Sequence, residues 1–334
     1  MKRNVTANLS GVNIRAILIL VFLLVINRGL DKIEDLFKKI EQLKKEKDAV
    51  ILAHYYTNDE VQSIADYVGD SYFLSKIAAE AQQKVIVFCG VSFMGESAKI
   101  LNPEKTVIMP DRTADCPMAH MVSPENIADV REGYEDLAVV CYINSTAEIK
   151  THADVCVTSS NALRITRALP QKNIYFIPDG NLGRYVARLV PEKNFIFNEG
   201  FCHVHAEIMK KDVENAKVDH PNAKVLAHPE CKLDVLDLAD YVGSTSGIID
   251  YANANEANEF IICTEIGILY ELKKRNPNKV FYTAKPDQIC PDMKMITLDK
   301  IADALENMNN QVEIDAPIRV KAAKSLEKML ELSK

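Results

Sequence analysis

Residues Val50–Ser71 read VILAHYYTNDEVQSIADYVGDS. A short apolar run, Val50–Ala53, leads into the polar turn His54-Tyr55-Tyr56. An amphipathic stretch follows and ends in Ala65-Asp66. A second short apolar run then meets Ser71. Four apolar residues bounded by turn residues read as a buried strand, and the stretch after the turn reads as a helix. The same order returns twice, as VVCYINSTAEIKTHADVCVTSS at Val139–Ser160 and VLAHPECKLDVLDLADYVGSTS at Val225–Ser246. The closing Ala-Asp puts its carboxylate at Asp66, Asp154 and Asp240, steps of 88 and 86 residues. A fixed long period of this kind is the mark of a repeated supersecondary unit.

Outward from each copy the pattern continues in parallel. A helix leads to a strong apolar strand (VIVFC from Val85, IYFI from Ile174, FIIC from Phe260), then another helix, then a last strand at Val107, Phe195 or Val280. Each unit closes on a loop with one cysteine, Cys116, Cys202 or Cys290, again 86 and 88 residues apart. Strands alternating with helices imply parallel sheets joined by right-handed crossovers. The expected fold is therefore α/β: three α/β/α, Rossmann-like repeats about a pseudo-threefold axis. The expected boundaries are 30–116, 117–202 and 203–290, with a C-terminal segment 291–334 whose helix 316–332 packs back on the first unit.

The 334 residues exceed one small core, and 48 % apolar with 26 % charged residues is ordinary for a globular chain. A net charge of −7 argues against a nucleic-acid binder, which would carry a basic face. None of the eight cysteines forms a C-x-x-C pair, so the usual zinc and ferredoxin spacings are absent. Dispersed cysteines in so long a chain fit a reduced compartment, and the expected location is cytoplasmic. Residues 1–29 stand apart. Ala16–Ile26 is an unbroken apolar run, shorter than the ~20 residues of a membrane span. It is read as sequence outside the mature protein, with no stable membrane association; an anchor and a signal peptide are the competing readings.

In parallel α/β sheets, ligands bind beyond the carboxyl ends of the strands. The polar residues sit there in every unit: His54-Tyr55-Tyr56, Tyr142-Ile143-Asn144 and His228-Pro229-Glu230 after the first strand, and Ser71, Ser159 and Thr245 after the second. Singly, a Ser or Thr before a helix is ordinarily an N-cap, and a lone His ordinarily structural. Three sets in register are better explained by one central cavity. Three thiolates converging there could hold zinc with an open position, or a [4Fe–4S] cluster with one iron lacking a cysteine. Such an iron is a Lewis acid suited to dehydration or condensation.

Ordered motifs extend this reading: Gly90-Val-Ser-Phe-Met-Gly-Glu-Ser-Ala-Lys99, Ala114-Asp-Cys-Pro-Met-Ala119, Val157-Thr-Ser-Ser-Asn161, Gly243-Ser-Thr-Ser-Gly247, Thr264-Glu-Ile-Gly267 and Cys290-Pro-Asp-Met-Lys294. With the three repeats, they resemble the quinolinate synthases from about Leu30 to the C-terminus. The resemblance implies a transferase that condenses iminoaspartate with dihydroxyacetone phosphate to quinolinate in NAD biosynthesis. The iminoaspartate would be supplied by an L-aspartate oxidase or an aspartate dehydrogenase. It also implies an oxygen-sensitive [4Fe–4S] cluster on Cys116, Cys202 and Cys290. By position, the implied substrate-binding residues are His54, Ser71, Tyr142, Ile143, Asn144, Ser159, His205, His228, Pro229, Glu230 and Thr245. Glu230 is expected as principal base with Tyr56 assisting, and His54 and His228 as further proton carriers. Asp287-Gln-Ile-Cys290 lacks the extra cysteines that some members carry there, which argues against a thiol switch at that ligand. The rival classes are another [4Fe–4S] hydro-lyase and a non-enzymatic iron–sulfur redox sensor.

Overall fold

The computed structural model describes residues 32–334. The run Ala16–Ile26, with the rest of the 1–29 extension, lies outside the described residues. The first described element is a helix over residues 32–47, which buries Ile40 and Leu43.

Three four-stranded, wholly parallel sheets follow in chain order. The first comprises β1 (Ala49–His54), β2 (Tyr67–Gly69), β3 (Val85–Cys89) and β4 (Thr106–Ile108). The second comprises β5 (Leu137–Tyr142), β6 (Val155–Val157), β7 (Asn173–Ile177) and β8 (Asn194–Phe197). The third comprises β9 (Lys224–Ala227), β10 (Tyr241–Val242), β11 (Glu259–Cys263) and β12 (Val280–Thr283). The strand orders β2-β1-β3-β4, β6-β5-β7-β8 and β10-β9-β11-β12 are one topology repeated. Every residue of β1, β3 and β5 is buried, as expected of strands covered by helices on both faces. The three-unit α/β architecture read from the repeats is the one observed.

The repeated Ala-Asp has a local cause. Asp66, Asp154 and Asp240 each accept the backbone N–H near the start of the unit's first strand, from Ile51, Val139 and Val225, at 2.7–2.8 Å. Each carboxylate thus ties the short second strand to the first, and each is paired outside by a cation: Lys44, Arg131 or Lys224.

The units do not share their cores equally. One apolar cluster runs through the first two sheets and takes in the helices Leu298–Asn307 and Ala316–Leu332. The third sheet has its own smaller clusters, one on each face. The last helix packs on the helix Ser92–Leu101 of the first unit and, more extensively, on β6 and the short helix Ala147–Lys150 of the second. The reason lies in its buried stripe of Ala322, Ser325, Leu326 and Met329. Ser325 Oγ donates to Lys150 O at 3.0 Å and stands 3.4 Å from Cys156 Sγ, and both partners belong to the second unit.

Candidate active site

The carboxyl ends of all three sheets open into one cavity, about 740 Å³ of space including its mouth. The cysteines sort around it. Cys89, Cys141, Cys156, Cys231 and Cys263 are buried in the sheets and their flanks, whereas Cys116, Cys202 and Cys290 are half-buried and line the cavity. Each of the three stands at the N-cap of a single helical turn: Pro117–His120, His203–Ala206 and Pro291–Lys294. Free backbone N–H groups at such a turn face an anion. Those of Ala119 and Met118 reach Cys116, that of His205 reaches Cys202, and those of Met293 and Asp292 reach Cys290. Burial pushes all three thiols up, Cys290 to about 11, against the pull of these N–H groups. A metal bound there would therefore displace thiol protons. Cys202 Sγ, a His205 ring nitrogen and a Glu230 carboxylate oxygen also lie within 4.8 Å of one another, a group able to hold a metal ion.

Of the residues expected at the site, His54, Tyr56, Ser71, Tyr142, Asn144, Ser159, His205, His228, Glu230 and Thr245 line the cavity with the three cysteines. Ile143 and Pro229 do not; Ile143 is core, its N–H held by Val157 O at 2.8 Å. No Lys or Arg is among the lining residues. The helices Ser71–Glu80 and Thr245–Ala254 begin at the cavity, but their side-chain caps are Asp70 and Ser244, which accept the N–H of Phe73 and Gly247. The hydroxyls of Ser71 and Thr245 are thereby released from capping. Asn144 Oδ1 and Thr158 Oγ1 face the cavity as buried polar atoms without a partner.

One chain of polar contacts leaves the third unit, passes through Tyr56 of the first, and returns. Thr245 Oγ1 is 2.9 Å from Tyr56 Oη, which is 2.6 Å from Thr264 Oγ1. Thr264 Oγ1 is 2.8 Å from His205 Nε2, and His205 Nδ1 lies between Glu230 Oε2 at 2.7 Å and Cys202 Sγ at 3.2 Å. A carboxylate only accepts, so Nδ1 carries the ring proton and Nε2 accepts. The assignment then runs one way: Thr245 donates to Tyr56, Tyr56 to Thr264, Thr264 to His205, and His205 to Glu230. Burial, then the Glu230 charge, pushes the Tyr56 phenol well up, so it stays a hydroxyl. Burial would raise Glu230, but His205 beside it and the Tyr142 hydroxyl pull it down. Thr264 lies behind the cavity wall, and its reach depends on Gly267. A Cβ there would stand 2.7 Å from Tyr55 O and 2.8 Å from Tyr56 Cα. Glycine lets the third unit approach the Tyr55-Tyr56 turn, and Gln62 Nε2 clasps both sides, donating to Tyr55 O and Gly267 O.

The family model described as Quinolinate synthetase A protein matches residues 38–331. The chain belongs to that family. A quinolinate synthase of Caldicellulosiruptor bescii is 54 % identical over 300 residues, 90 % of this chain and 99 % of its own length. One of Clostridioides difficile is 52 % identical over 300 residues, with the same coverage of each. One of Fusobacterium nucleatum is 54 % identical over 295 residues, 88 % of this chain and 98 % of its own. The family is one of enzymes, and this chain is an enzyme. Among the described residues no helix is long and apolar enough to cross a membrane.

Within this family site His54 and His228 are alike. The Tyr56 N–H donates to His54 Nδ1 at 3.2 Å, and the Glu230 N–H to His228 Nδ1 at 3.4 Å. Each ring then keeps its proton on Nε2. Burial depresses both rings from the ordinary 6.5, His54 to about 4 and His228 to about 3. The unfolded chain takes up protons at both from pH 6.5 downward, while the folded chain does not. Stability present above 6.5 is therefore lost as pH falls toward these folded values. At pH 5 the expected loss is about 2 kcal/mol per ring. Denaturant unfolding at pH 7.5 and 5.0 checks this. The parent should lose more than His54→Gln or His228→Gln, and equal losses would refute it.

Sequence reasoning missed Asp70, Asp115, Thr264 and Glu265. Thr264-Glu265 was in view, since it follows β11 just as Asp179 follows β7, but the strand-end rule had been applied only to the first two strands of each unit.

Proposed function

We propose that the chain is a quinolinate synthase, condensing iminoaspartate with dihydroxyacetone phosphate to quinolinate, with release of phosphate and water, for NAD biosynthesis. What carries the proposal is a cavity lined by three half-buried cysteines, four histidines, Glu230 and the unpartnered polar atoms of Asn144 and Thr158, in a chain about half identical to enzymes of that name. An aspartate-oxidising enzyme, the oxidase or the dehydrogenase, would supply iminoaspartate. Eight free cysteines support a cytoplasmic setting. The unit boundaries 30–116, 117–202 and 203–290 remain part of this reading, each range containing one sheet.

Cys116, Cys202 and Cys290 would hold a [4Fe–4S] cluster, and the donor set fits: soft sulfur ligands, each met by backbone N–H groups, around one space. With three cysteines, the cluster supplies one iron open to a substrate oxygen as a Lewis acid. The chain's own groups do the rest. His54 and His228, expected as proton carriers, act instead as neutral Nε2–H donors to substrate carboxylate or carbonyl oxygens, because burial keeps them uncharged. Tyr56 receives or gives the proton at the reacting carbon, and Thr264 and His205 pass the charge change to Glu230. Glu230, held ionised, stabilises His205 when that ring gains a proton; it is the relay's anchor more than its first base. Asn144 and Thr158 give the substrate two further partners.

The deciding assay supplies both substrates to the anaerobically reconstituted chain. Quinolinate formation supports the proposal. Iron loading with dehydration of another hydroxy acid, or with no turnover at all, would favour the hydro-lyase or sensor reading.

The lining lacks Lys and Arg, so substrate anions must be met by hydroxyls, histidines and helix N-termini. Ser71→Ala or Ser159→Ala should weaken quinolinate binding by about 1–3 kcal/mol. Because Asp70 caps the helix after Ser71, the ligand-free stability of Ser71→Ala should fall by less than the ~0.5–2 kcal/mol of a lost cap. Calorimetric titration beside thermal unfolding tests both, and unchanged affinity in both variants would remove these hydroxyls from recognition.

A further inference from the structure

A cluster-binding loop must hold its sulfur in place before iron arrives, and the three cysteine loops share a device for this. In the third unit, the Cys290 N–H donates to Glu265 Oε1 at 3.2 Å, and Glu265 Oε2 accepts the Gly267 N–H at 2.6 Å. Glu265 is buried and paired with Lys294 at 3.1 Å. In the second unit, Asp179 is fully buried and stands near the Cys202 N–H without a hydrogen bond at full geometry. Asp179 Oδ1 accepts the N–H groups of Asn181 and Leu182, while Oδ2 lacks a partner at full hydrogen-bond geometry. Backbone contacts tie this residue to the cysteine loop: Asp179 bridges Gly200, and the Gly180 N–H donates to Gly200 O at 2.8 Å.

Asp179 and Glu265 occupy one register position. Each lies two residues beyond the strand residue, Ile177 or Cys263, that pairs with the end of the unit's first strand. The first unit has Val91 there, two beyond Cys89, and a valine cannot accept. Its loop carries the carboxylate itself. Asp115 Oδ1 accepts the Cys116 N–H at 2.8 Å and the Ser92 hydroxyl, while Oδ2 meets His120 at 2.7 Å. Two of the cysteine N–H groups thus donate to a carboxylate, and the third, that of Cys202, has Asp179 beside it, although the repeat offers only two of these acids by register.

We propose that Asp115, Asp179 and Glu265 are positioning residues for the metal centre, each fixing one cysteine backbone and so the direction of its sulfur. This rests on the reading of Cys116, Cys202 and Cys290 as ligands. The strongest effect belongs at Asp179. Glu265 has Lys294 and Asp115 has Ser92 and His120 to hold their loops by other contacts, whereas Asp179 is held by backbone N–H groups alone.

The test uses the full chain, reconstituted anaerobically with iron and sulfide. Read out are iron per chain, the rate of iron release to a chelator, the midpoint potential and electron-paramagnetic spectrum of the reduced centre, and unfolding of the metal-free chain. Asp179→Ala is expected to release iron about tenfold faster or more than the parent, with an altered spectrum. Asp179→Asn keeps an acceptor oxygen for the same N–H groups and should restore slow release. Asp115→Ala, at a half-exposed site, keeps the test open if Asp179→Ala does not fold; it too should release iron faster. Parent-like release and spectrum in either folded Ala variant would overturn the proposal. So would failure of Asp179→Asn to rescue while metal-free stability is intact. A parent chain that takes up no iron would instead sink the ligand reading, before any variant is compared.

Discussion

Replacing Cys116, Cys202 or Cys290 singly by Ala is expected to abolish product formation and to lower bound iron and sulfide, while the other five cysteines prove dispensable for both. The difference follows from where the sulfurs stand. The three are half-buried at helix N-caps around one cavity, and the five are enclosed in apolar packing. On the proposed ligand set, removing one cysteine leaves two, too few to hold a cluster that ordinarily takes four. Cys141→Ala or Cys231→Ala should instead cost stability by about 1 kcal/mol for the lost buried atoms, with iron content near the parent's. Iron and sulfide analysis after anaerobic reconstitution decides the matter. Full retention in any of the three variants would remove that residue from the ligand set.

The second large effect is expected at Thr264, which touches neither the cavity nor a cysteine. Its hydroxyl is the only link between Tyr56 and His205 in the chain described above. Thr264→Val keeps the shape and removes that link. The turnover number should fall about 10²-fold or more, the usual size of a lost proton-transfer path. Quinolinate affinity and iron content should stay near the parent's, because the cavity lining is intact. Thr264→Ser keeps the hydroxyl and should recover most of the rate. Adding Thr264→Val to Tyr56→Phe should cost little more than Tyr56→Phe alone, since both break one path. Parent-like turnover in Thr264→Val would mean that Tyr56 acts without the relay. A parallel fall in iron content would mean that Thr264 serves the fold and not the reaction.

Much of this protein was legible because its information is local and repeated. Apolar runs such as Val50–Ala53, Val139–Cys141 and Val225–Ala227 specify buried strands wherever they occur, and the polar residues just after them are carried to the strand ends by chain connectivity alone. Three copies then fix the parallel sheets, the single cavity and the three cysteines that close the units.

What the sequence did not determine depends on how the units face one another. Tyr56 and Thr264 are 208 residues apart, and no periodicity relates them. They meet because Gly267 allows two backbones to approach and Gln62 clasps the junction. The tautomers of His54 and His228 turned on which ring nitrogen a neighbouring N–H engages, a property of the folded site. The capping question at Ser71 and Thr245 went to their neighbours Asp70 and Ser244, a choice of side-chain direction that a strand–Ser–helix pattern leaves open. The C-terminal helix reaches beyond the first unit to the second because partners of its buried stripe, Lys150 and Cys156, lie there. Sequence determines what is set within a few residues along the chain; contacts between units follow from the packing of faces that many sequences could share, and only the assembled structure selects among them.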